Sequence, residues 1–164
     1  MSSLKRLAPL LAALTAVGCD RVTKGSAVAL LSGADALSFW HDTLRLELVM
    51  NSGAFLSLGA GWPPALRFAL LGIGSGVLLA GLTILALRGG WSRAAQLGAA
   101  LVVAGGVSNL IDRLATGAVV DFVNVGIGPL RTGIFNAADV SILAGAAVFA
   151  LVEIRHELAR QRRE

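Results

Sequence analysis

The sequence predicts a mainly α-helical membrane protein, with four transmembrane helices carrying a small extracytoplasmic β-sheet platform. Three observations point there. Of 164 residues, 55% are hydrophobic and 15% charged, with a mean hydropathy of +0.76, whereas a soluble domain carries about 25% charged residues. Several apolar runs approach the roughly 20 residues that a bilayer-spanning helix needs. The short connections on one side hold most of the Lys and Arg, the pattern that orients a polytopic chain. The same composition excludes disorder, which requires low hydrophobicity and high charge, and the length suits one domain. Cys19 is the only cysteine, so neither an intrachain disulfide nor a thiolate metal cluster is available. The net charge of +4 is modest and sorts by membrane side, so no nucleic-acid partner is expected.

The first span is read at residues 7–28. Lys5-Arg6, an apolar run and Ala16-Val17-Gly18-Cys19 also resemble a lipoprotein signal peptide, but the chain that follows is itself polytopic, and Ala16 stands where such signals favour Leu. The second span, 68–87, contains no charged residue. The third is placed at 94–111, and the fourth at 134–153, interrupted by Asn136, Asp139 and Ser141.

Lys5 and Arg6, then Arg88 and Arg93, then Arg155, Arg160, Arg162 and Arg163 all fall on one side of an even number of spans. That side is the cytoplasm by the positive-inside rule. Both termini are therefore expected there, with segments 32–65 and 112–133 outside. Within the first of these, Leu44-Arg45-Leu46-Glu47-Leu48 alternates with the period of a half-buried strand. Phe39, Trp40 and Trp62 suit an interfacial platform.

An ionisable residue near the bilayer centre costs roughly 2.5 to 3.5 kcal/mol on insertion scales, so each such residue calls for a reason. Asp20 lies about 20 Å along the first helix at 1.5 Å per residue, and Lys24 follows at the i,i+4 spacing that allows pairing. Asn109 and Asp112 share a face at the outer end of the third helix. A short apolar run, Val119-Val120, delivers Asp121 to the membrane edge. Asn136 is placed to cap the fourth helix, and Asp139 falls in its positively polarised first turn. With Asn51, these acids and amides gather at one depth near the outer surface. Independent caps and interface residues would account for Asn136 or Asp112, but leave Asp121 and Asp139 without evident basic partners.

His41 and His156 lie on opposite sides, so a His-based metal site or dyad has little support; no metal or cofactor is expected. Cys19 reads as a packing residue. If Asp121 and Asp139 approach closely they cannot both ionise easily, and such a pair can activate water and protonate a leaving amine without a cofactor.

Five motifs, Asp20-Arg21-Val22-Thr23-Lys24, Asn51-Ser52-Gly53-Ala54-Phe55, Asn109-Leu110-Ile111-Asp112-Arg113, Val119-Val120-Asp121-Phe122 and Phe135-Asn136-Ala137-Ala138-Asp139, occur in an order that resembles the lipoprotein signal peptidases (signal peptidase II). The resemblance covers nearly the whole chain. Arg21 stands where Gln is usual, Ser108 where Gly is usual, and the Asn51 motif is one residue short before Phe55. The resemblance implies an aspartic endopeptidase that removes the signal peptide from diacylglyceryl-modified prolipoproteins, just before the lipidated cysteine. It implies Asp121 and Asp139 as the catalytic dyad, and Asn51, Asn109, Arg113 and Asn136 as groups orienting peptide and carboxylates. Asp20, Lys24 and Asp112 would hold the helices in register. Its partners would be prolipoprotein and membrane lipid, and the chain is read as a monomer.

Two other classes remain. A small transporter or channel subunit would use the intramembrane acids as an ion path, but would place them through the membrane depth. A noncatalytic assembly factor would use Gly72-Ile73-Gly74-Ser75-Gly76 for close helix contacts, which ordinary packing explains equally well.

Overall fold

The computed structural model describes residues 3–54 and 57–162, with side chains from Leu7 onward. Phe55, Arg163 and the side chains of Lys5 and Arg6 lie outside the described residues. The chain folds into four long helices and a four-stranded antiparallel sheet. Helix α1 is Ser3–Leu31, and α3 and α4 are Arg93–Thr116 and Ala137–Gln161. Helix α2, Pro64–Arg88, passes through a π-helical stretch at Phe68–Gly74 before regaining α geometry at Ser75. Among the described residues, three helices, α2, α3 and α4, are long and apolar enough to cross a membrane. Helix α1 has comparable length, but Asp20, Arg21 and Lys24 break its apolar surface.

The outer surface of the bundle is apolar: Leu78, Leu87, Leu85 and Val77 of α2 and Leu143 and Leu151 of α4 are all well exposed. The interior instead collects small residues and polar groups. Helices α3 and α4 pack through Gly98 and Gly145, where a Cβ on Gly98 would lie 2.7 Å from the Gly145 carbonyl oxygen. Small residues allow this approach, so shape rather than apolar bulk joins the pair.

Strands β1 (Leu37–Phe39), β2 (Leu44–Asn51), β3 (Val119–Ile127) and β4 (Leu130–Arg131) follow one another in spatial order. The alternating stretch at Leu44 is indeed a strand, and extends to Asn51. Its main partner is the apolar run ending at Asp121, which is a strand in its own right: Asn51 lies opposite Val119 and Val49 opposite Asp121. Val119 and Asp121, two residues apart, share the buried face. The turn before β2 runs through Trp40, His41 and Asp42, all with positive φ. Asp42 braces it, accepting from Ser38, Arg45 and Arg131. The Arg45 guanidinium holds this exposed carboxyl down at about 2.

Two boundaries differ from the sequence reading. Helix α3 continues past the expected span end at 111 to Thr116, with Asp112 and Arg113 in its last turns. Helix α4 begins at Ala137, because Phe135 is drawn into the sheet: its carbonyl accepts from Phe122 and Val123, and its N–H donates to Val123. That pairing ties the start of α4 directly to the strand carrying Asp121.

Candidate active site

The polar residues form two linked tiers between α1, α3, α4 and the sheet. The deeper tier is a charge-balanced cluster. Lys24 Nζ donates to Asp20 Oδ2 at 2.8 Å, Asp112 Oδ2 at 2.8 Å and Asn109 Oδ1 at 2.7 Å, using all three ammonium donors. Arg21 joins Asp112 Oδ1 at 2.7 Å and Asp20 Oδ2 at 3.2 Å. Asp20 is only 1% exposed. Its Oδ2 also accepts from Ser108 Oγ at 2.6 Å, and its Oδ1 from the Ala138 backbone N–H at 2.8 Å. A side chain of the first helix thus satisfies an orphan donor at the start of the last one.

The upper tier is built from three asparagines, each with its carbonyl oxygen already occupied. Asn109 Oδ1 accepts from Lys24 and from Asn136 Nδ2, so its Nδ2 faces Asp139 Oδ1 at 2.9 Å. Asn136 Oδ1 accepts from the Asp139 N–H at 3.0 Å in a capping box, which turns its Nδ2 to Asp121 Oδ1 at 2.6 Å. Asn51 Oδ1 accepts from the Gly53 N–H at 3.0 Å, leaving Nδ2 for Asp121 Oδ2 at 2.9 Å. That loop is tight: a Cβ on Gly53 would fall 2.6 Å from the Leu58 carbonyl oxygen. Arg113 Nη2 donates to the Gly53 carbonyl at 2.9 Å and holds the loop from the other side.

Asp121 and Asp139 each accept two hydrogen bonds, Asp139 through Asn109 and the Asn136 N–H. Among the described residues neither carboxylate has a cation at ion-pair distance. Burial raises the Asp121 carboxyl above its ordinary range, and the charge of Asp139 adds to that, while the Asn51 and Asn136 amides oppose it. The two acids line one small cavity of about 20 Å³ together with Asn51, Asn109 and Arg113. One water needs roughly 10 to 15 Å³ of such space.

Larger openings meet the same carboxylates. An apolar groove of about 510 Å³ runs between α2, α3 and α4 past Leu79, Leu82 and Ile142, and ends at Asn109, Arg113 and Asp139. A second apolar recess of about 520 Å³, along Phe135, Val140 and Leu143, also reaches Asp139. On the sheet side, Asp121 lines a polar recess with Arg45, Glu47, Asn124 and Arg131.

All nine residues singled out by sequence therefore fall in one connected network. Asp112 pairs with Arg21 and Lys24 rather than with its neighbour Arg113. Sequence reasoning missed Arg21 and Ser108 as members, having noted them only as departures from a motif; a charged residue and a hydroxyl beside intramembrane acids were the available signal. It also missed the backbone groups of Gly53 and Ala138, which carry no signal of their own.

A sequence model of the family described as Signal peptidase (SPase) II matches residues 12–155. A lipoprotein signal peptidase of Gloeobacter violaceus is 35% identical over 151 residues, covering 90% of this chain and 82% of that protein. Another, from Mycobacterium tuberculosis, is 33% identical over 157 residues, covering 92% of this chain and 73% of that protein. Among solved structures, a bacterial membrane enzyme determined in meso at 2.3 Å superimposes with a TM-score of 0.77 at 26% identity, over 90% of this chain and 88% of the other. With the family model matching residues 12–155 and relatives above 30% identity covering most of the chain, the chain belongs to the signal peptidase II family.

Proposed function

We propose that the protein is an aspartic endopeptidase that cleaves diacylglyceryl-modified prolipoproteins just before the lipidated cysteine, with Asp121 and Asp139 as the catalytic dyad. The observation that carries this reading is the shared cavity. A buried carboxylate, Asp121, and a half-buried one, Asp139, both without ion-pair partners among the described residues, face a space of about 20 Å³, beside an apolar groove reaching Asp139.

The dyad shares one proton. Burial favours Asp121 as its holder, and Asp139 takes the proton of the attacking water as its oxygen adds to the scissile carbonyl. Asp121 donates to the carbonyl oxygen as it becomes tetrahedral. Collapse breaks the C–N bond, a carboxyl proton passes to the departing cysteine amine, and the signal peptide leaves with a new C-terminal carboxylate. Asn51 and Asn136 orient Asp121, Asn109 orients Asp139, and Arg113 holds the Gly53 carbonyl that borders the peptide path. Asp20, Lys24 and Asp112 keep the helices in register. The apolar groove suits a signal peptide or acyl chains, and the polar recess beside Asp121 suits the mature peptide.

In the membrane we place four spans, including α1, with both termini cytoplasmic and the dyad at the extracytoplasmic face. The sidedness of Lys and Arg supports this orientation. The protein acts as a monomer, its site complete within one chain.

The test is release of signal peptide from a diacylglyceryl-modified prolipoprotein by the purified protein. Asp121→Asn and Asp139→Asn are each expected to abolish release while the unfolding midpoint shows a folded protein. Turnover retained in both variants overturns the dyad.

A further inference from the structure

A separate, mainly apolar cavity of about 110 Å³ lies beside the outer end of α2, between the Ser52 loop and the Gly117 turn. Two guanidinium groups, those of Arg67 and Arg113, line it, and no carboxylate does. The Nε atoms of both arginines are buried without a hydrogen-bond partner. Arg113 spends one donor on Gly53 and lies within electrostatic reach of Asp139, Asp121 and Asp112. Arg67 has no ion-pair partner among the described residues.

Guanidinium presents a planar fork of donors and keeps its charge, and a buried donor without an acceptor is costly. Both unmet donors therefore call for an acceptor of opposite charge. The same wall includes Pro64, the first residue of α2, whose N-terminus no side chain caps, so the positive helix end adds to the field. The volume is several times what one water needs and has room for a tetrahedral oxyanion. Phe68 and Leu71 form its apolar edge, and Phe68 is 55% exposed on the outer face of α2.

We propose that this cavity binds a phosphate oxyanion between Arg67 and Arg113, supplied by the phosphodiester of an anionic phospholipid whose acyl chains run along Phe68 and the outer face of α2. Arg113 lines this cavity, the dyad cavity and the apolar groove, so the bound phosphate stands one side chain away from Asp139. The cavity is separate from that of the dyad but shares Arg113 with it, and binding there does not require cleavage.

The delipidated full-length protein in neutral detergent is melted with phosphatidylglycerol, phosphatidylcholine or inorganic phosphate, and retained lipid is counted by native mass spectrometry. Phosphatidylglycerol is expected to raise the midpoint saturably and to be retained one per chain, with phosphatidylcholine weaker by at least tenfold in concentration. Arg67→Gln should weaken the phosphatidylglycerol response by at least tenfold. Ser52→Glu, which sets a carboxylate in the cavity, should do the same if Arg67→Gln does not fold. An equal response to millimolar inorganic phosphate, lost in the same variants, assigns the site to a free oxyanion. A response that survives in both variants, or a wild-type protein that does not distinguish phosphatidylglycerol or phosphate from phosphatidylcholine, overturns the proposal.

Discussion

Asn51, Asn109 and Asn136 show how side-chain amides aim a pair of acids. An amide is both donor and acceptor, and once its oxygen is committed its nitrogen can only face an acceptor. Lys24 commits Asn109, the Asp139 N–H commits Asn136, and the Gly53 N–H commits Asn51. Lys24→Met would leave Asp20 and Asp112 short of a buried partner, and is expected to destabilise the fold by about 3 to 5 kcal/mol, read from the midpoint of denaturant unfolding. A pH prediction follows from Asp121. Its carboxyl is raised from 3.8, so it binds its proton more tightly in the folded than in the unfolded chain. That contribution to stability is complete below the ordinary carboxylate value and is lost as pH rises through the folded one. Relative to Asp121→Asn, the wild-type unfolding midpoint should therefore fall as pH increases above about 4. In activity, the alkaline limb of the pH–rate profile should move upward in Asn51→Ala, because the Asn51 amide opposes the shift. The identities of these residues were legible in the sequence, as were the local Asp20–Lys24 pair and the Asn136 cap; the long-range pairings were not, since Lys24 and Asn109 are 85 positions apart.

At the scale of elements, the sheet positions one acid and a helix end the other. Asp121 is aimed by strand alternation from Val119, and Asp139 by the capping box that starts α4. Asn136→Ala removes that cap and one donor to Asp121 together. It is expected to cost more than the roughly 0.5 to 2 kcal/mol of a cap alone, with loss of turnover, measured by unfolding and cleavage in parallel. Helices α3 and α4 must also stay close. A Cβ on Gly145 would meet the Val102 N at 2.8 Å, so Gly145→Val should lower the unfolding midpoint by the equivalent of about 1 to 3 kcal/mol or more. The alternation of Leu44 to Leu48 announced β2. The strand β3 was read only as an apolar run, because Val119-Val120 ahead of Asp121 shows no alternation until a partner selects one face. The π-helical stretch of α2, Phe68–Gly74, has no sequence signature of that kind either.

For the whole molecule, the exposed leucines and valines of α2 and α4 make sense only against lipid, since water would penalise so large an apolar surface. The four-span orientation is open to a direct test. A reporter active only in the cytoplasm should score when fused after Gln161 or inserted in the turn at 89–92, and one active only outside should score at the turn of 128–129. The opposite pattern overturns the orientation. Intact mass should retain the residues before Cys19; their loss overturns α1 as a span.

Sequence alone determined the long apolar helices and the set of acids and amides that meet in one network, because hydropathy and charge act locally and can be read along a chain. Tertiary structure decided which acid keeps which donor, that Asp20 of the first helix stabilises the start of the last, and that Phe135 joins the sheet and links Asp121 to Asp139. Those outcomes depend on groups up to 118 residues apart meeting at hydrogen-bonding distance, where a shift of about one ångström separates a bond from an unmet buried group.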